Sequence, residues 1–103
     1  MKIAIASEGN SVGSLVSSIG GRAPYYLFFE NGVLINSIKN PFLSGGGAGF
    51  SVASLLADET VDLVICQEFG EKMIGALEEK SIQCETVDNM TVEEALKKTG
   101  KIS

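Results

Sequence analysis

Four glycines in five positions, Gly45, Gly46, Gly47 and Gly49, stand between Ser44 and Phe50. Without a Cβ, such a run turns tightly and lets a ligand or another backbone approach its N–H groups, at an entropic cost that an ordinary connection avoids. Behind it Val52, Leu55 and Leu56 recur at helical spacing with Ser51, Ser54 and Asp58 between them. The run is therefore expected at a helix N-terminus, where unpaired N–H groups and the positive dipole end favour an anion. A plain turn packed on a sheet accepts the same glycines, and no Gly-Lys-Ser/Thr closes the run as in a Walker A loop. Arg22 is the only cation in the two glycine-rich stretches, 8–22 and 40–49. It can pair with a phosphate or an anionic cluster, or make an ordinary surface ion pair.

The two thiols read differently. Cys66 ends an apolar run a few residues before Gly70 opens a helical pattern. The dipole of that helix would lower the thiol pKa toward the thiolate that ligates metal, although a last core residue of a buried strand fits the same pattern. Cys84, in step with Ile82 and Thr86, is expected to pack as a small apolar group and to react slowly. Two cysteines this far apart form neither a zinc finger nor a CxxC motif. Histidine is absent, which removes the usual general base and the commonest transition-metal ligand.

The chain has 103 residues, room for one domain, 1–103, and a single core. With 45% hydrophobic and 20% charged residues it has an ordinary globular composition. Thirteen acidic against eight basic residues leave a net charge of −5, which opposes binding to a phosphate backbone and argues against nucleic acid as partner. No apolar run reaches the roughly 20 residues of a membrane span. The start, Met1-Lys2-Ile3-Ala4-Ile5-Ala6-Ser7, is too short and too alternating for a signal peptide, which predicts a cytoplasmic protein without a membrane partner.

Residues 2–7 are apolar on both faces, as in a central strand covered by helices. Residues 8–22 form a long polar loop with one short turn expected around Leu15-Val16. Residues 24–30 and 33–38 are strands joined by Asn31-Gly32, a strong hairpin signal. Their aromatics, Tyr25 to Phe29, are read as core. After the glycine run and its helix come a strand over 61–66, a helix with Met73, Ile74 and Leu77 on one face, and an edge strand over 82–87. Thr91-Val92-Glu93-Glu94 is a capping box opening a last helix that ends near Lys97, Lys98 and Gly100. The order is β-β-β-α-β-α-β-α.

Right-handed crossovers put the C-terminal ends of parallel strands on one edge, where open α/β sheets usually bind ligands. Loop 8–22, the stretch 40–49 and the ends at Cys66 and Val87 should all meet there. Glu8 and Glu68 could face that rim while Asp62 starts its strand at the opposite edge, so the several carboxylates a two-metal nuclease gathers are not expected together.

Several segments together resemble one family. They are Lys2-Ile3-Ala4-Ile5-Ala6, Gly21-Arg22-Ala23-Pro24-Tyr25-Tyr26, Asn40-Pro41 with Gly45-Gly46-Gly47-Ala48-Gly49, Leu55-Leu56-Ala57, Val61-Asp62-Leu63-Val64-Ile65 and Thr91-Val92-Glu93-Glu94-Ala95-Leu96. In this order they are similar, nearly end to end, to the dinitrogenase iron-molybdenum cofactor family, the NifX-like proteins. The resemblance implies a ribonuclease H-like α/β fold: a mixed five-stranded sheet of order 3-2-1-4-5 with strand 2 antiparallel and helices on both faces. It further implies a small non-enzymatic carrier of an iron-molybdenum or iron-sulfur-type cofactor or its precursor, working with cofactor-biosynthesis proteins as a monomer or weak homodimer. Members often carry a histidine before Gly-Arg-Ala-Pro and another before the glycine run, where this chain has Ile19-Gly20 and Ser44. The expected contacts are then Arg22, Ser44, Gly45, Gly46, Gly47 and Gly49, with Cys66 as the one soft metal ligand on the rim. The alternative is a metal-free binder of a small anion or nucleotide through the same loop.

Overall fold

The computed structural model describes residues 1–42 and 48–99. Lys2–Ser7 forms β1, Tyr25–Glu30 β2, Val33–Lys39 β3, Leu63–Cys66 β4 and Gln83–Thr86 β5; Ala48–Asp58 forms α1, Glu71–Glu79 α2 and Val92–Lys98 α3. The strands make one sheet in the order β3-β2-β1-β4-β5. β2 is antiparallel to β1 and β3, while β1, β4 and β5 run parallel. This is the expected mixed sheet.

Ile3, Ala4, Ile5 and Ala6 of β1 and all of β4 are buried, so the centre of the sheet is covered on both faces. α1 and α2 pack on each other, as two right-handed crossovers moving in the same direction across a sheet require. α3 is tied to the segment after β1 by Val92 N donating to Ser14 O and Glu93 N to Val12 O, at 2.9 and 3.0 Å. Its capping box is complete: Glu94 N donates to Thr91 Oγ1 and Thr91 N to Glu94 Oε1. Such a cap contributes about 1 kcal/mol and fixes where the helix starts.

The hairpin turn has positive φ at Asn31 and Gly32, 52° and 78°, the backbone that its two residue types tolerate best. β3 is exposed along most of its length, and its register with β2 shifts between Phe28 and Phe29, leaving Ile35 as an extra residue. Such a bulge spoils a regular ladder on an open edge.

Loop 8–22 differs from expectation. Its turn lies at Ser11–Ser14, closed by Ser14 N donating to Ser11 O at 3.0 Å. Leu15 and Val16 are extended, bridging to Thr91 and Ser7. An apolar pair can bury one member only if the chain there lies flat on the core, and Val16 is buried while Leu15 stays half-exposed. No helix among the described residues is long and apolar enough to cross a membrane.

Candidate functional site

Because β1, β3, β4 and β5 run the same way, Ser7, Lys39, Cys66 and Thr86 all end on one edge of the sheet. Asp62 lies at the opposite edge, where its carboxylate accepts from Lys2 N at 2.8 Å. The rim is built by three chain segments pinned to one another. Ser17 N donates to Ala6 O and Gln67 N to Ser17 O, at 2.8 and 3.1 Å, so residues 17–20 lie between the ends of β1 and β4. Gln67 Nε2 adds a bond to Val16 O at 3.0 Å. Gly20 N donates to Glu68 O at 2.9 Å, and a 3-10 turn follows over Gly20–Arg22.

The third segment is held by Asn40, a polar side chain only 4% exposed just after β3. Its Nδ2 donates to Ala23 O at 3.0 Å and, at a longer 3.4 Å, to Gly21 O and Tyr26 Oη; its Oδ1 accepts from Phe42 N at 2.8 Å. Tyr26 Oη donates in turn to Gly20 O. One amide thereby fixes the 20–24 turn and the chain entering the glycine run. The sequence does carry a signal for it: a lone asparagine before a proline, closing a strand, is where a side chain substitutes for a missing backbone partner.

Arg22 is exposed on this floor and pairs with no carboxylate among the described residues. α1 packs against its turn, and Ile19 and Phe50, both about half exposed, complete the surface. Gly49 lies in the first turn of α1 rather than in the loop ahead of it. Ser44, Gly45, Gly46 and Gly47 fall outside the described residues, so of the expected contacts the structure brings Arg22 and Gly49 to neighbouring elements.

Cys66 departs from the sequence expectation. It is on the rim edge, but its side chain is 0% exposed and its Sγ donates to Glu68 O at 2.9 Å. Burial pushes the thiol up to about 12, outweighing the hydrogen bonds from the Glu68 and Gly20 backbone that lower it. Desolvation between two buried faces of β4 defeats the dipole of α2. Cys84, expected to be the packed thiol, is the more open of the two, and its pKa is raised by burial and then by Glu78. Among the described residues no three His, Cys, Asp or Glu side chains gather as a metal site.

The thiols therefore make a prediction with a definite sign. A thiol reagent applied to the native protein will modify Cys84 first and Cys66 only as the fold opens. The unfolded Cys66 thiol ionises near 9.0 while the folded one holds its proton to about 12. Stability is therefore lost as pH rises through that window, by up to about 4 kcal/mol. Burial of Tyr26 raises its pKa and acts in the same direction. Urea midpoints should show Cys66→Ala losing less stability than the parent chain between about pH 7 and 10.5; parallel losses would contradict the burial of the thiol.

The profile of the dinitrogenase iron-molybdenum cofactor family matches residues 1–101. No functionally curated protein matches the sequence. Among solved structures, the apo form of the orange protein from Desulfovibrio gigas superposes with a TM-score of 0.88 at 23% identity, over 99% of this chain and 90% of that one. A NifB-type Thermotoga protein placed in the DUF35 family superposes with a TM-score of 0.85 at 24% identity, over 97% and 87%. At these identities the likeness is one of fold.

Proposed function

The chain belongs to the dinitrogenase iron-molybdenum cofactor family, and from that premise we propose that it is a non-enzymatic carrier of an iron-molybdenum or iron-sulfur-type cluster or its precursor. The cargo rests on the rim, against Arg22 and the backbone N–H groups of Gly45, Gly46, Gly47 and Gly49, with the Ser44 hydroxyl as a further donor. One observation carries this reading: Arg22 stands exposed on a floor whose backbone is locked by buried Asn40. A fixed floor with a cation above it is already shaped to receive an anion, so little ordering is required on binding.

Direct ligation fits the donor set poorly. The sequence has no histidine, and the Cys66 thiol would have to leave Glu68 O and give up a proton that burial retains. We therefore assign retention of the cargo to hydrogen bonds and Arg22, with Cys66 packed beneath. The sheet is read as ribonuclease H-like in topology, and the protein as a cytoplasmic monomer or weak dimer that delivers to cofactor-biosynthesis proteins.

Anaerobic titration with isolated iron-molybdenum cofactor tests the role of the arginine. Arg22→Ala should weaken binding roughly 10- to 100-fold and flatten its salt dependence, as loss of a charge-assisted contact does, while Arg22→Lys should recover part of the affinity. Unchanged affinity at low ionic strength would remove Arg22 from the site. Binding of ATP or inorganic phosphate with the same Arg22 dependence, and none of the cluster, would favour the metal-free anion binder.

A further inference from the structure

At the far side of the sheet, β5 borders α2 across an open groove of about 700 Å3 lined by Phe69, Ile74, Glu78, Ile82, Cys84 and Thr86. β5 is an edge strand, and the phase of its hydrogen bonds is fixed. Gln83 N donates to Asp62 O at 2.9 Å and Val87 N to Cys66 O at 3.0 Å. In a parallel ladder alternate residues turn their N–H and C=O to the same neighbour, so residues 83, 85 and 87 face β4 while Cys84 and Thr86 present theirs outward. Side chains alternate as well: Cys84 and Thr86 point to the groove, and Glu85 to the other face.

We propose that this edge takes an extended segment of a partner protein as a sixth strand, with apolar side chains entering the groove in alternation with lysines or arginines on the opposite face. The backbone groups of Cys84 and Thr86 supply the ladder, and Phe69, Ile74 and Ile82 the apolar wall. Charge selects the occupant. Glu78 is the charged residue among the described ones that line the groove, and Glu85 marks the other face. Glu79 follows Glu78 at the end of α2 beside Lys80, while Asp88 is paired with Lys98 at 3.8 Å, so carboxylates still outnumber lysines around this edge. A second copy of the chain brought edge to edge would set these carboxylates against their own kind, which is unfavourable. A strand with lysines on the face of Glu85 pairs with that carboxylate, and the negative surround, Glu78 in the groove included, favours a basic chain over an acidic one. The other sheet edge, β3, is interrupted by its bulge, so β5 is the edge with a regular ladder to extend. This surface borders the rim at Phe69 and Thr86 and stands independently of the carrier reading.

The test uses the full chain, 15N-labelled, titrated with capped Lys-Val-Lys-Val-Lys-Val-Lys and followed by amide NMR. Saturable shifts centred on Cys84 and Thr86 are expected. They should be absent with the peptide whose central valine is proline, which breaks the strand, and with the peptide in which glutamate replaces lysine. Glu85→Lys and Glu78→Lys together should weaken binding at least about tenfold, with each single variant showing a partial loss and an unchanged fold by its spectrum. Equal binding of the glutamate peptide, shifts centred on β3 or the rim, no saturable shift at millimolar peptide, or self-association through β5 would each overturn the proposal.

Discussion

Replacing Asn40 by leucine will lower the melting temperature by roughly 12–24 °C and abolish binding at the rim. The two side chains are close in volume, so the loss isolates the hydrogen bonds. Leucine leaves the carbonyls of Gly21 and Ala23 and the N–H of Phe42 without the partners that Asn40 supplies. Each orphaned buried group costs about 1–3 kcal/mol, and partial hydration on relaxation brings the net to about 3 kcal/mol. In a domain of this size each kcal/mol corresponds to roughly 4–8 °C. Asn40→Asp separates the two halves of the amide. It keeps an acceptor for Phe42 N but turns a second oxygen toward the carbonyls, so the carboxyl pKa should rise in the folded state. Above that pKa the variant is destabilised, and as the pH falls through it the loss is recovered relative to the parent chain. Thermal melts of both variants at neutral and mildly acidic pH check this; a drop of only a few degrees for leucine would mean that the rim is not fixed by Asn40.

Gly20 predicts a comparable effect by another route. A Cβ at this position would stand 3.0 Å from Cys66 Sγ, 3.1 Å from Phe69 Cδ1 and 3.3 Å from Met73 Sδ, with the chain itself bonded on both sides to Glu68 O and Tyr26 Oη. Neither the strand end nor α2 can retreat without disturbing its own packing, so Gly20→Ala should cost about 1–3 kcal/mol and Gly20→Val more. Removing the sulfur should partly relieve it. In a double-mutant cycle, Gly20→Ala with Cys66→Ala should be less destabilised than the two single changes added together. Simple additivity, measured by urea unfolding, would contradict the close approach.

These two residues also show what was legible in the sequence. Element types and sheet order follow from local signals: the doubly apolar run Ile3–Ala6 marks the central strand, Asn31-Gly32 the hairpin, Thr91 with Glu94 the last helix. The edge that gathers the loops follows from strand direction. What the sequence did not show is which thiol is buried. Strand position placed Cys66 at a rim and Cys84 in a core, but exposure depends on what lies over each. The 17–20 segment and Phe69 close over Cys66, whereas Cys84 opens onto the groove beside α2. That covering comes from loop 8–22, whose path is set by long-range hydrogen bonds such as Gln67 N to Ser17 O, invisible to any local pattern. Asn40 was legible only as a turn residue, since its partners Gly21 and Ala23 are brought to it by the pairing of β2 with β3.

Metal retention tests most directly whether the cargo is held without a protein thiolate. The parent chain, Cys66→Ala and Arg22→Ala would each be mixed anaerobically with isolated iron-molybdenum cofactor, passed through a desalting column, and assayed for iron and molybdenum per chain. Stoichiometric metal is expected on the parent chain and on Cys66→Ala, and little on Arg22→Ala. Metal lost from a folded Cys66→Ala but kept by Arg22→Ala would contradict retention without a thiolate.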